Sequence, residues 1–184
     1  MDATRLIVFL SVSLALPSPL AANGKALEPA VQARVEAKFA QLKAMAKDPV
    51  IVAAVKAHNA ALPPEHAAMT QEKWATFSVI HPFVAEFVQN EVGKILTARK
   101  GDQISEIFVS DARGLKVAFF AKPTSWSHKG KPKHEVPMSG KIWQGDVETD
   151  QSTGVREIQI SVPVLDGGRP IGSLVAGLNY AKLM

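Results

Sequence analysis

"ISVPVLDGGRPIGSLVAGLNY", residues 160–180, reads as a β-hairpin. Leu165-Asp166-Gly167-Gly168-Arg169-Pro170 is the turn signal, and apolar runs flank it on both sides. Just upstream the alternation is strict. Arg156, Ile158, Ile160, Val162 and Val164 share one face of a strand, and Glu157, Gln159 and Ser161 share the other. Pro163 lacks a backbone donor, which predicts a sheet edge or strand end at that point. Gly172 and Gly177 predict a bulge or the close approach of another element.

Working outward, "ISEIFVSD" (104–111) and "LKVAFF" (115–120) read as two more strands around the turn Asp111–Gly114. Ile107 and Val109 are expected on one face of the first, Ile104 and Phe108 on the other. A further strand spans Lys141–Thr149 and turns through "DQSTG". Between them, residues 122–139 hold three prolines, two histidines and Trp126, and read as a long loop with at most one helical turn.

Before Gly101 the period is helical. Val31, Val35, Phe39 and Leu42 make one apolar stripe. Asp48-Pro49 caps and starts a second helix, and Thr70 caps a third. Pro82 begins a helical run that continues to Gly101. Helices first and strands after predict an α+β domain with an antiparallel sheet.

The 184 residues are 47% hydrophobic and 21% charged, enough for one core. Arg5, the apolar run 6–16 and Ala21-Ala22 have the order of a secretory signal peptide, with cleavage expected after Ala22. Residues 23–184 then form a single domain, periplasmic or secreted, and no later stretch is apolar enough to span a membrane. The absence of cysteine excludes thiol catalysis and cysteine metal sites. Net charge is +4, with Lys129, Lys131 and Lys133 clustered around His128 and His134, a cluster that reads either as a solvated basic loop or as a site for an anionic ligand or surface. Nothing suggests nucleic acid.

The order of these pieces resembles the Cache sensor domains, also called the PDC fold, a PAS-like extracytoplasmic family. The residues that carry the resemblance are Asp111 and Gly114 ending an apolar strand, and Trp126 in the variable loop. Pro163-Val164 before the turn and Ile171-Gly172 after it complete the pattern, which spans about residues 30–183. The resemblance implies a central sheet of about five strands, a long N-terminal helix on one face and a small-molecule pocket on the other. It also implies a partner in the membrane, a receptor or kinase, and offers the long helix as a homodimer contact. One departure is Asn179, where many amine-binding relatives place an acid; an amide cannot supply that charge.

Six residues are candidate ligand contacts. Trp126 and Trp143 bracket the loop as aromatic walls, and Ser125 and His128 lie beside Trp126. Arg156 falls on an apolar strand face, where a buried guanidinium needs an anion: a ligand carboxylate, Asp146 or Asp150. Asn179 completes a polar rim. The loop histidines, with His58 or His81, offer a metal or haem alternative, although their spacing matches no strong ligand pattern and no cofactor is expected. Gly-x-Ser-x-Gly, His-Glu-x-x-His and phosphate-loop motifs are all missing. The expected function is therefore ligand binding without catalysis, against the alternative of an accessory protein that binds only other proteins.

Overall fold

The computed structural model describes residues 26–150 and 154–184. The expected signal segment 1–22 and part of the "DQSTG" turn lie outside the described residues. Helix α1 (Pro29–Ala46) is followed by α2 (Pro49–Ala60), α3 (Pro64–Ala67), α4 (Gln71–Thr76), α5 (Pro82–Gln89) and α6 (Glu91–Arg99). Strands β1 (Ile104–Asp111) and β2 (Lys116–Phe119), helix α7 (Pro132–Met138), and strands β3 (Trp143–Thr149), β4 (Arg156–Asp166) and β5 (Arg169–Asn179) complete the chain. The five strands form one antiparallel sheet in the order β2-β1-β5-β4-β3.

The helix starts follow local chemistry. Asp48 Oδ1 accepts from the Val50 N–H at 2.9 Å, and Thr70 Oγ1 from Lys73 N–H at 3.2 Å. The run after Pro82 is not one helix. Asn90 is extended, its side chain caps α6 at Gly93 N–H (2.8 Å), and its amide donates to Val117 O (3.0 Å). Gly93 lets the two helices meet, since a Cβ there would lie 2.4 Å from the carbonyl oxygens of Phe87 and Val88.

The α1 stripe of Val31, Val35, Phe39 and Leu42 is buried on the sheet face that carries Ile158, Ile160, Val162, Leu174 and Leu178. The opposite face holds an aromatic cluster of Trp74, Phe87, Phe108, Phe119 and Trp126 around Val175. The expected register of β1 fails at one residue. A bulge between Ile104 and Glu106 returns Ile104 to the α1 side, while Phe108 stays on the aromatic side.

The alternation of β4 is as read. Its apolar residues face α1, while Glu157 bonds Ser105 and Gln159 bonds Lys133 on the other side. Pro163 lies beyond the β3 ladder, which ends at the Trp143–Ser161 pair, so its missing N–H costs no strand bond. Segment 122–139 corrects the loop expectation. It contains the seven-residue helix α7, which Pro132 starts at a position that needs no N–H. Helix α7 packs on β4 and β5 and roofs the polar side of the sheet.

Candidate functional site

Between α7, β3 and the polar face of β4 lies a cavity of about 780 Å³. Its floor is Glu106, Glu157 and Gln159; its sides include His128, Lys131, Lys133, Trp143 and Ser125; its rim carries Asp146, Glu148 and Asp150. Five carboxylates therefore line it against Lys131 and Lys133.

Two of the acids are nearly inaccessible, Glu106 at 3% exposure and Glu157 at 2%. Gly177 makes the room. A Cβ on that residue would lie 2.2 Å from Glu157 Oε2, so a side chain there would displace the carboxylate. Glu157 accepts from Ser105 Oγ (2.7 Å) and Gln159 Nε2 (2.9 Å). Burial raises its pKa, and these two bonds offset only part of the rise. Burial also raises the Glu106 carboxyl, with repulsion from Glu157 adding to it, to about 7. Ligand oxygens of Glu106, Asp150 and Glu157 lie within 4.8 Å of one another, the one such acid or histidine group among the described residues.

That raised pKa fixes a pH dependence. A carboxyl whose folded pKa exceeds its unfolded value stabilises the fold below the unfolded value and loses that contribution as pH rises through the folded one. Thermal stability should fall between about pH 4.5 and about pH 7. Glu106→Gln should flatten most of that slope in melting curves, and an unchanged slope would assign it to another group.

Behind the cavity wall Lys116 is fully buried. Its Nζ contacts His128 Nδ1 and lies 4.5 Å from the Phe108 ring centroid, and His128 stacks on the same ring at 4.6 Å. Burial drives the Lys116 pKa well below its usual value; burial and then the Lys116 charge push His128 down, so that imidazole is neutral.

The loop histidines are not surface groups. His128 is 3% exposed and His134 1%, with His134 Nδ1 held at 2.8 Å by Ser173 Oγ. His81 caps α5 and stacks on Phe77, and His58 binds Asp111. They do not converge, and no group of three that includes a histidine is placed to hold a metal ion among the described residues.

The six expected contacts separate. Ser125, His128 and Trp143 line the cavity. Trp143 folds over Gly145, where a Cβ would lie 2.7 Å from its Cη2, at a register shift of β3. Trp126 is 3% exposed inside the aromatic cluster and does not line this cavity, so the two tryptophans do not form one wall. Arg156 is exposed rather than buried. It begins β4 opposite Thr149 and lies over the Tyr180 ring at 5.1 Å, so it needs no buried anion. Asn179 lies outside the cavity, and its Oδ1 accepts from Lys182 N–H (3.3 Å) to cap the turn Tyr180–Lys182. Glu106, Glu157 and Gln159 were not singled out from sequence. The signal for Glu157 and Gln159 is the polar face of β4, opposite its apolar residues; Glu106 lies on β1, next to the bulge.

A five-stranded antiparallel sheet with a long N-terminal helix on one face and a roofed pocket on the other defines a PAS-like architecture. The particular fold is that of the Cache, or PDC, sensor domains. The Escherichia coli DcuS sensor domain matches at TM-score 0.51 and 12% identity, over 85% of this chain and 96% of that one. The ligand-binding domain of the Pseudomonas fluorescens chemoreceptor CtaA, in complex with L-alanine, matches at TM-score 0.44 and 14% identity over 82% of this chain and 53% of its own. The sensor domain of the Vibrio cholerae histidine kinase DctB matches at 0.40 and 14%, over 83% and 58%. No protein-family model and no curated protein matches the sequence. No described helix is long and apolar enough to cross a membrane.

Proposed function

We propose that this protein is an extracytoplasmic small-molecule sensor module that holds an ammonium-bearing ligand in the acid-lined cavity, without catalysis, and works with a membrane partner. The observation that carries the reading is the buried pair Glu106 and Glu157 beneath a cavity with three further carboxylates. Buried acids this close raise one another's pKa unless a cation intervenes. An ammonium group bridging them is stabilised by charge-assisted hydrogen bonds in a poorly screened site. This reverses the sign expected from the basic cluster. Lys133 Nζ donates to Gln159 Oε1 (2.7 Å) and Lys131 Nζ to Ser125 Oγ (3.2 Å), so both lysines are placed for the anionic end of a zwitterion. The likeness to the DcuS sensor domain supports the sensor role.

A melting-shift panel of alkylamines, common L-amino acids, aliphatic carboxylates and calcium chloride tests this. Saturation at about a hundred times the dissociation constant adds about 2.7 kcal/mol. Saturable shifts from ammonium compounds are expected. Shifts from carboxylates alone would overturn the reading. A shift from calcium alone would favour a second reading, a cation held by Glu106, Asp150 and Glu157.

A further inference from the structure

The acid cavity holds more negative charge than one ammonium group offsets. Five carboxylates against Lys131 and Lys133 leave three negative charges in excess, or two with Glu106 protonated. Lys133 donates to Gln159 and Lys131 to Ser125, so neither lysine is paired with an acid.

Geometry divides the acids into two groups. Glu106, Asp150 and Glu157 bring oxygens within 4.8 Å of one another on the floor. Glu106 is 3% exposed and lines the cavity, and no hydrogen bond holds its carboxyl among the described residues. Glu157 leans toward it, since its Oε2 lies 2.2 Å from where a Cβ on Gly177 would stand. Gly177 pairs with Glu106 on one side and with Gln159 on the other, so the floor charge is centred over β5.

Asp146 and Glu148 form the second group, on the edge strand β3. That strand is two places from β5, about 10 Å across the sheet. Glu148 stands opposite Glu157 in the ladder, but the Glu157 carboxylate is turned away from it, over Gly177. Both rim acids are exposed and line the cavity, and neither belongs to the floor group. Neither makes an ion pair among the described residues. An ammonium group bonds a carboxylate at about 2.8 Å, so one seated on the floor does not reach them.

We propose that the ligand of this cavity carries two cationic groups, one on the floor carboxylates and one on Asp146 and Glu148. The inference rests on the ammonium reading above and narrows it to diamines and dibasic amino acids. In the latter, Lys131 and Lys133 receive the carboxylate.

Two matched pairs are the probes, pentylamine with cadaverine and L-norleucine with L-lysine, titrated calorimetrically into the full chain at low salt. Within each pair the second compound adds one terminal ammonium group. The dicationic member should bind about tenfold tighter in at least one pair, and the gain should shrink as salt screens the exposed rim. The double variant Asp146→Asn with Glu148→Gln should remove most of the gain. A gain of about twofold or less in both pairs, the statistical advantage of two equal ends, overturns the second cationic group and leaves ammonium binding on the floor standing. A gain that ignores salt, or survives in the folded double variant, also overturns it, because the second charge then lies elsewhere. Binding of none of the four compounds overturns both readings.

Discussion

Asp111→Ala is expected to cost about 3–5 kcal/mol of folding stability, read as a lower urea midpoint at pH 7. The carboxylate is fully buried and gathers four hydrogen bonds from the turn, Arg113 and His58. Truncation strands the two backbone donors and leaves the guanidinium without its ion pair, although Arg113 keeps a second bond, to His58 O (2.6 Å). The pH dependence has the opposite sign to that of Glu106. A carboxyl whose folded pKa is depressed stabilises the fold above its unfolded value and loses that contribution as pH falls through the folded one. The variant should therefore lack the part of acid unfolding below the ordinary value of 3.8 that Asp111 supplies. A loss under about 1 kcal/mol would show that the turn is held by other groups.

The second large effect is expected at Trp74. Its ring is fully buried among Phe83, Phe87, Phe119 and Trp126, with centroids 5.2–6.5 Å away, and its Nε1 donates to Pro123 O at 2.8 Å. Trp74→Ala opens a cavity in this cluster and should cost about 3–5 kcal/mol. Trp126 belongs to the same cluster, so Trp126→Ala should also destabilise, and the double variant should fall short of the sum. Additive losses would mean that the rings do not support one another. The sequence alone offers Trp126 as a candidate ligand wall; its burial in the aromatic cluster makes stability the expected readout of its truncation.

The hairpin 160–180, the helix stripe and the caps at Asp48 and Thr70 were legible because period and capping act locally. Three features were not. Helix α7 hides behind Pro132 and Pro137, although the first sits where a helix tolerates proline and the second lies in the last turn. The bulge before Glu106 moves Ile104 across the sheet, and it depends on pairing with β5 rather than on the strand's own residues. His66 stands in "PPEH", a stretch that reads only as a helix terminator; its partners His58, Phe83, Phe87 and Trp126 come from other elements. Arg156 illustrates the converse error. It shares the apolar face of β4, but as the strand's first residue it escapes the burial its neighbours undergo.

The acid cavity then follows from two choices in sequence, an acid-amide face on β4 and a glycine opposite it. Asn179 supplies no carboxylate to the site, whereas Glu157, its register partner on β4, does. The proposed ammonium site therefore does not require an acid at position 179.

Calorimetric titration of wild type and Glu157→Gln, side by side, with the ammonium compound that gives the largest melting shift decides whether Glu157 holds the ligand. The amide keeps the size and one acceptor but removes the charge, so binding should weaken by about 2 kcal/mol, roughly thirtyfold in affinity, with the melting curve of the free variant still cooperative. Equal affinity in the two proteins would contradict it, because the ammonium group would then be bound elsewhere.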